Sequence, residues 1–189
     1  AFNNFIKPFL QKKNLKEIAD FETFVRANNG VSYLTGVFDL HPHPKQGVKA
    51  LQKALDKSIA LVKKSPEQVG RALNQLGKTQ RVFNRLKGGD KHLFLDYFFT
   101  KLEKNPPDFD TSLDRQEALI EKANNLPAFK SHVGEKSSED QGHLLQFAIS
   151  TTGHKYLMDA MSLYGDNPKK IQEVIDDAIA CQKNGNAKS

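Results

Sequence analysis

Apolar side chains recur every three to four residues through most of this chain, and no useful stretch alternates with period two. That spacing restricts the fold to α-helices packed on one another. The clearest case runs from about Pro44 to Lys64. Val48, Leu51, Leu55 and Val62 form a seam there, widened by Ala54 and Ile59. Ser65-Pro66-Glu67-Gln68 restarts the chain, with Ser as N-cap, Pro at N1 and Gln at N3. A second helix is expected to about Lys87, with Val69, Leu73, Leu76, Phe83 and Leu86 inward and Gly88-Gly89 as its stop.

The other expected helices follow the same logic. Asn14 caps one that Asn29-Gly30 ends in a left-handed turn. Residues 31–40 are ambiguous between a short helix and a buried extended run. His41-Pro42-His43-Pro44 is non-helical, because each proline pushes its predecessor out of the α region. Asp90 caps a helix to about Glu103 that is apolar nearly all round and so belongs at a centre. Thr111 opens another to about Asn125, and Ser138 one to about Thr151. Gly153 breaks the pattern before a short helix near 154–163. Asn167-Pro168 begins the last helix, which Asn184-Gly185 ends.

The expectation is an all-α bundle of roughly seven or eight helices with no substantial β-sheet, forming a single domain over 1–189. At 189 residues such a chain buries enough surface to need no disulfide or metal staple. Residues 1–13 read as an arm whose Phe2, Phe5, Ile6, Phe9 and Leu10 dock on the core, and 184–189 as a flexible tail. The longest apolar runs fall short of the roughly 18 residues needed to span a bilayer. One cysteine, Cys181, excludes an internal disulfide and suggests a reducing, cytoplasmic setting. The chain begins at Ala1, as a processed protein or an excised piece would, so targeting segments are left open.

Charge is the second constraint. Residues 45–91 hold 12 Lys or Arg against Asp56, Glu67 and Asp90, while the rest of the chain has 16 basic and 19 acidic residues. Lys45, Lys49, Lys53 and Lys57 stand four apart, along one drifting ridge of a helix. Neighbouring like charges at that spacing cost about 0.2–0.5 kcal/mol each. Arg71, Lys78, Arg81 and Arg85 continue the field on the second helix of a basic hairpin over 45–87. These eight residues are the candidate partner-binding set. The plain alternative is a lysine-rich, solvated helix face. Guanidinium groups are the better specific contacts, since they bind phosphate or carboxylate bidentately.

The segment Asp39-Leu40-His41-Pro42-His43 resembles the D-x-H-x-H opening of metal-dependent amidohydrolases and PHP phosphoesterases, in which the two histidines bind metal at a strand end. The resemblance covers five residues. It implies a (β/α) barrel and further ligands on later strands, and this chain has no strand series to carry them. Glu139 and His143, four apart on one helix face, could do acid–base work or be a surface pair. Ser150, Thr151 and Thr152 near His154 lack a nucleophile elbow. Gly88-Gly89 before a helix could hold a phosphate, although Asp90 already fills the cap.

The sequence therefore reads as a non-enzymatic interaction domain, with no catalytic residue, metal or cofactor assigned. Its basic surface would face an acidic protein surface or an acidic or phosphoinositide lipid headgroup. Nucleic-acid binding through the same face is the second reading, without zinc-finger spacing or RNP aromatics to carry it. A helical metal-dependent hydrolase using Asp39, His41 and His43 is the third. Lys outnumbers Arg 23 to 5 and Asn is common. In that composition alone the chain resembles helical effector proteins of intracellular bacteria, a likeness that would place it in a host cytosol.

Overall fold

The computed structural model describes residues 2–186 and is all-helical. The described residues form α1 (Phe2–Gln11), α2 (Leu15–Arg26), α3 (Gly30–Thr35), α4 (Val37–Leu40), α5 (Pro44–Lys64), α6 (Pro66–Thr79), α7 (Gly88–Lys104), α8 (Pro106–Asn124), α9 (Pro127–Glu135), α10 (Ser138–Ile149), α11 (Thr151–Tyr164) and α12 (Pro168–Asn186). That is twelve segments, or eleven if the single turn α4 is counted with α3, against the seven or eight expected. The surplus has local causes. The ambiguous 31–40 stretch is two short helices, and the N-terminal arm and residues 127–135 are helical too.

The described chain divides into two compact units, each built from two stretches. Unit 1 is 1–77 with 87–104, and unit 2 is 78–86 with 105–189. In unit 1, α2 lies along α5, while α3 and α4 pack on α7. Its centre is a cluster of Phe24, Tyr33 and Phe99, in which Tyr33 meets both phenyl rings edge-to-face, with ring centroids 5.0–6.1 Å apart. Leu34, Leu51, Leu55, Leu95 and Phe98 complete it and are fully buried. Phe9 of α1 is buried against Phe21, so the arm is a docked helix, with Pro8 inside it.

In unit 2, α12 packs against α9, α10 and α11, over a core of Phe109, Leu113, Phe129, Val133, Leu144, Leu157, Ile171 and Ile175. Residues 80–87 depart from the expected helix, since α6 stops at Thr79. Val82 and Phe83 sink into the interior instead. The buried Gln141 compensates the broken backbone ladder: its Oε1 accepts from the Arg85 N–H at 2.7 Å, and its Nε2 donates to the Val133 carbonyl at 2.8 Å and to Asn84 at 3.0 Å.

Several boundaries shift for identifiable reasons. Asn105 caps α8 by accepting from the Asp108 N–H, so Pro106 sits at N1 and the helix starts five residues before Thr111. Ser150, not Gly153, separates α10 from α11, its Oγ accepting from the Gly153 N–H at 3.0 Å. Gly153 lies inside α11, where a Cβ would collide with the Phe147 carbonyl oxygen. Asn29 is the left-handed residue at φ 65°, as its sequence position suggests. α12 runs through Asn184-Gly185 to Asn186, and 187–189 of the expected tail lie outside the described residues.

Candidate functional site

The ridge on α5 is the first element of the site. Lysines four apart drift by about 40° per step, so the row turns by roughly 120° between Lys45 and Lys57. Lys45, Lys49 and Lys53 are exposed, and among the described residues none of the three has an ionic partner. Asp56, the one acid on α5, is taken by Lys13 at 2.9 Å. Lys57 has turned inward: its Nζ donates to Asp96 Oδ1 at 2.9 Å and to Thr100 Oγ1 at 3.0 Å.

Beside Lys57 lies a cleft of about 510 Å³, walled by α3, α4, α5 and α7. Lys53, Lys57 and Lys104 line it with His41, His92, Asp96 and Glu103, and Val37, Leu40 and Leu93 supply apolar wall. Asp96 Oδ1 also accepts from the Tyr33 hydroxyl at 2.8 Å. Burial raises the Asp96 carboxyl, but the hydrogen bonds and charge of Lys57, with the Tyr33 hydroxyl, more than offset it and hold the group below the usual carboxylate range. Burial, together with the Asp96 charge, pushes the Tyr33 hydroxyl up, so it stays protonated and donates.

His92 stacks on Tyr33 with centroids 4.5 Å apart and planes 17° from parallel. Its Nδ1 lies 2.6 Å from the Tyr33 carbonyl oxygen. A carbonyl oxygen only accepts, so Nδ1 carries the proton and Nε2 keeps its lone pair. Burial lowers the affinity of the ring for a second proton, and the charges of Lys57 and His41 lower it further, against the raising effects of the Tyr33 hydrogen bond and Asp96. Close packing sets the geometry. A Cβ at Gly36, between α3 and α4, would collide with the Gly88 carbonyl oxygen at the start of α7.

The eight candidate residues are divided between the units. Arg71 is half-buried on α6 and has an interaction of its own. Lys78, Arg81 and Arg85 belong to unit 2. Lys78 and Arg81 share a cleft of about 320 Å³ with Glu117, Glu121 and Asn124, a surface of both signs. Arg85 is exposed, on the loop that Gln141 holds.

Asp39, His41 and His43 do not share one side of an extended strand. Asp39 is in the helical turn α4, and its Oδ2 accepts from the Gly89 N–H at 3.1 Å, capping α7. That carboxylate, with Asp90 accepting from the Lys87 N–H, occupies the start of α7 in place of a phosphate. His43 is exposed while His41 faces the cleft. Glu139 and His143 are 3.6 Å apart on the surface of α10. Among the described residues no group of three or more His, Cys, Asp or Glu is placed to hold a metal ion. No described helix is long and apolar enough to cross a membrane.

Apolar periodicity and motif spacing do not single out Tyr33, His92, Asp96 or Thr100. A signal for three of them exists: His92, Asp96 and Thr100 stand four apart, a polar row on the helix read as apolar nearly all round. The row faces the cleft, and Leu93 beside it is 42% exposed. Comparison of the chain with protein families, curated proteins and solved structures finds no match.

Proposed function

We propose that unit 1 is a non-enzymatic module that binds an anionic membrane surface through α5. The observation that carries this reading is the unpaired row Lys45, Lys49 and Lys53, kept on one ridge while the only acid of the helix is withdrawn by Lys13. A row of like charges costs the folded protein a little and gains nothing internally, so its natural counter-charge is external. Lysine suits a diffuse layer of headgroups, where each cation near the surface contributes about 1 kcal/mol; arginine would suit a bidentate contact. Val48, 41% exposed between Lys45 and Lys49, adds an apolar contact on the same turns.

Vesicle flotation tests the reading. The protein should float with phosphatidylcholine vesicles containing phosphatidylserine and not with phosphatidylcholine alone. Lys45→Glu, Lys49→Glu and Lys53→Glu together should lower partitioning at least roughly a hundredfold with the helical circular dichroism unchanged. Undiminished flotation of that variant removes the proposal. Capture by an acidic protein or an oligonucleotide, without flotation, would assign the ridge to another anion.

A further inference from the structure

We propose that the cleft of unit 1 binds the phosphate monoester of a small ligand, its oxygens held by Lys57, Lys53 and Lys104 and by the ring nitrogens of His92 and His41. The source is either a phosphorylated lipid headgroup or a small phosphate ester in solution. This deepens the reading of unit 1 as a module for anionic surfaces, and rests on it only for the lipid source.

Lys57 is the fixed point. An ammonium has three N–H donors, and Asp96 and Thr100 engage two of them, so one is left for a ligand in the cleft that Lys57 lines, and the two hydrogen bonds reduce the side-chain entropy lost on binding. Asp96 is ion-paired with Lys57 and accepts from the uncharged Tyr33 hydroxyl, so it repels an anion less than a free carboxylate would. Leaving the histidines aside, the lining carries three lysines against Asp96 and Glu103. A tetrahedral phosphate presents three terminal oxygens to donors arriving from separate elements, more than a carboxylate could use. Val37, Leu40 and Leu93 give the organic part of the ester an apolar wall.

Proton coupling follows from the groups around His92. Tyr33 of α3 fixes its Nδ1–H, and His41 after α4 and Lys57 of α5 oppose a second proton. Asp96 on its own helix favours that proton but is engaged by Lys57; Glu103 and Lys104 line the same cleft. A bound dianion reverses the balance, so Nε2 takes up a proton and becomes a donor. Affinity should rise as pH falls from about 7.5 to about 6.

The test uses calorimetric titration of the full chain with glycerol 3-phosphate, beside long-range imidazole NMR. Wild type should bind, with the His92 Nε2 resonance moving toward the protonated position. His92→Asn keeps a donor for the Tyr33 carbonyl and deletes Nε2; it should weaken binding about tenfold, as should His41→Gln. Neither change should alter flotation with phosphatidylserine vesicles, whereas Lys45→Glu with Lys49→Glu, which leaves the cleft lysine Lys53 in place, should weaken flotation and keep glycerol 3-phosphate. Vesicles with phosphatidylinositol 4-phosphate then separate the sources: a gain over phosphatidylserine that His41→Gln removes assigns the lipid, and its absence assigns the ester in solution. Absent glycerol 3-phosphate binding, binding indifferent to both histidines, or equal binding of succinate would overturn the proposal. Should His92→Asn fail to fold, His41→Gln alone decides.

Discussion

At the scale of residues, the titratable groups of the cleft tie stability to pH in opposite parts of the acid range. His92 resists its second proton in the folded state, chiefly through burial. The unfolded chain therefore binds more protons below the ordinary histidine range near about 6.5, and stability should fall as pH drops through it. His154, lowered by burial and by Arg115, adds to the same slope. The Asp96 carboxyl is depressed in the folded state, so its contribution is present above the unfolded value near about 3.9 and is lost as pH falls further. Urea unfolding at about pH 7.5 and about pH 5.5 should show the histidine slope in wild type and a shallower one in His92→Asn. An unchanged slope would mean that His92 is not held neutral.

Elements explain what was readable in the chain and what was not. The cap Asn14 acts within three residues, through a side chain whose geometry is set locally, so it marks a real start, and α10 begins at the expected Ser138 with Ser137 as its cap. α6 fails that logic. Its apolar pattern continues past Thr79 through Val82, Phe83 and Leu86, but the burial of those residues is achieved by a loop stapled to Gln141, more than 50 residues on. Glycines show the same division. A Cβ at Gly70 meets nothing within 4 Å, so Gly70→Ala in α6 should stabilise by about 0.5–1 kcal/mol. Gly36→Ala must push α3 and α4 off the start of α7 and should destabilise by about 1–3 kcal/mol. Both are read from denaturant midpoints. Equal effects would show that the two helices do not touch there.

For the whole molecule, the tertiary division redistributes the charge. Unit 1 holds 16 basic and 9 acidic residues, net +7; unit 2 holds 12 and 13, net −1. The basic segment 45–91 therefore belongs mostly to a unit with a net positive charge, and its Lys78, Arg81 and Arg85 belong to one without. Charge reversal at those three should leave vesicle flotation within about twofold of wild type, while the α5 variant abolishes it. A comparable loss from both would return the ridge and the arginines to one field.

Sequence by itself determined the helical class, the starts of α2, α5, α6, α10 and α12, the left-handed turn at Asn29 and the lysine ridge, because each depends on neighbours within one or two turns. Tertiary structure decided which of those charges stay unpaired. Asp56 is withdrawn by Lys13, 43 residues away, and Lys57 is turned to Asp96, 39 residues away. It also converted Asp39 from a candidate ligand into a cap for α7 and brought Tyr33 to His92 and Asp96. Electrostatic partners and clefts are long-range properties: side-chain spacing sets which face a residue occupies, and only packing sets what stands opposite.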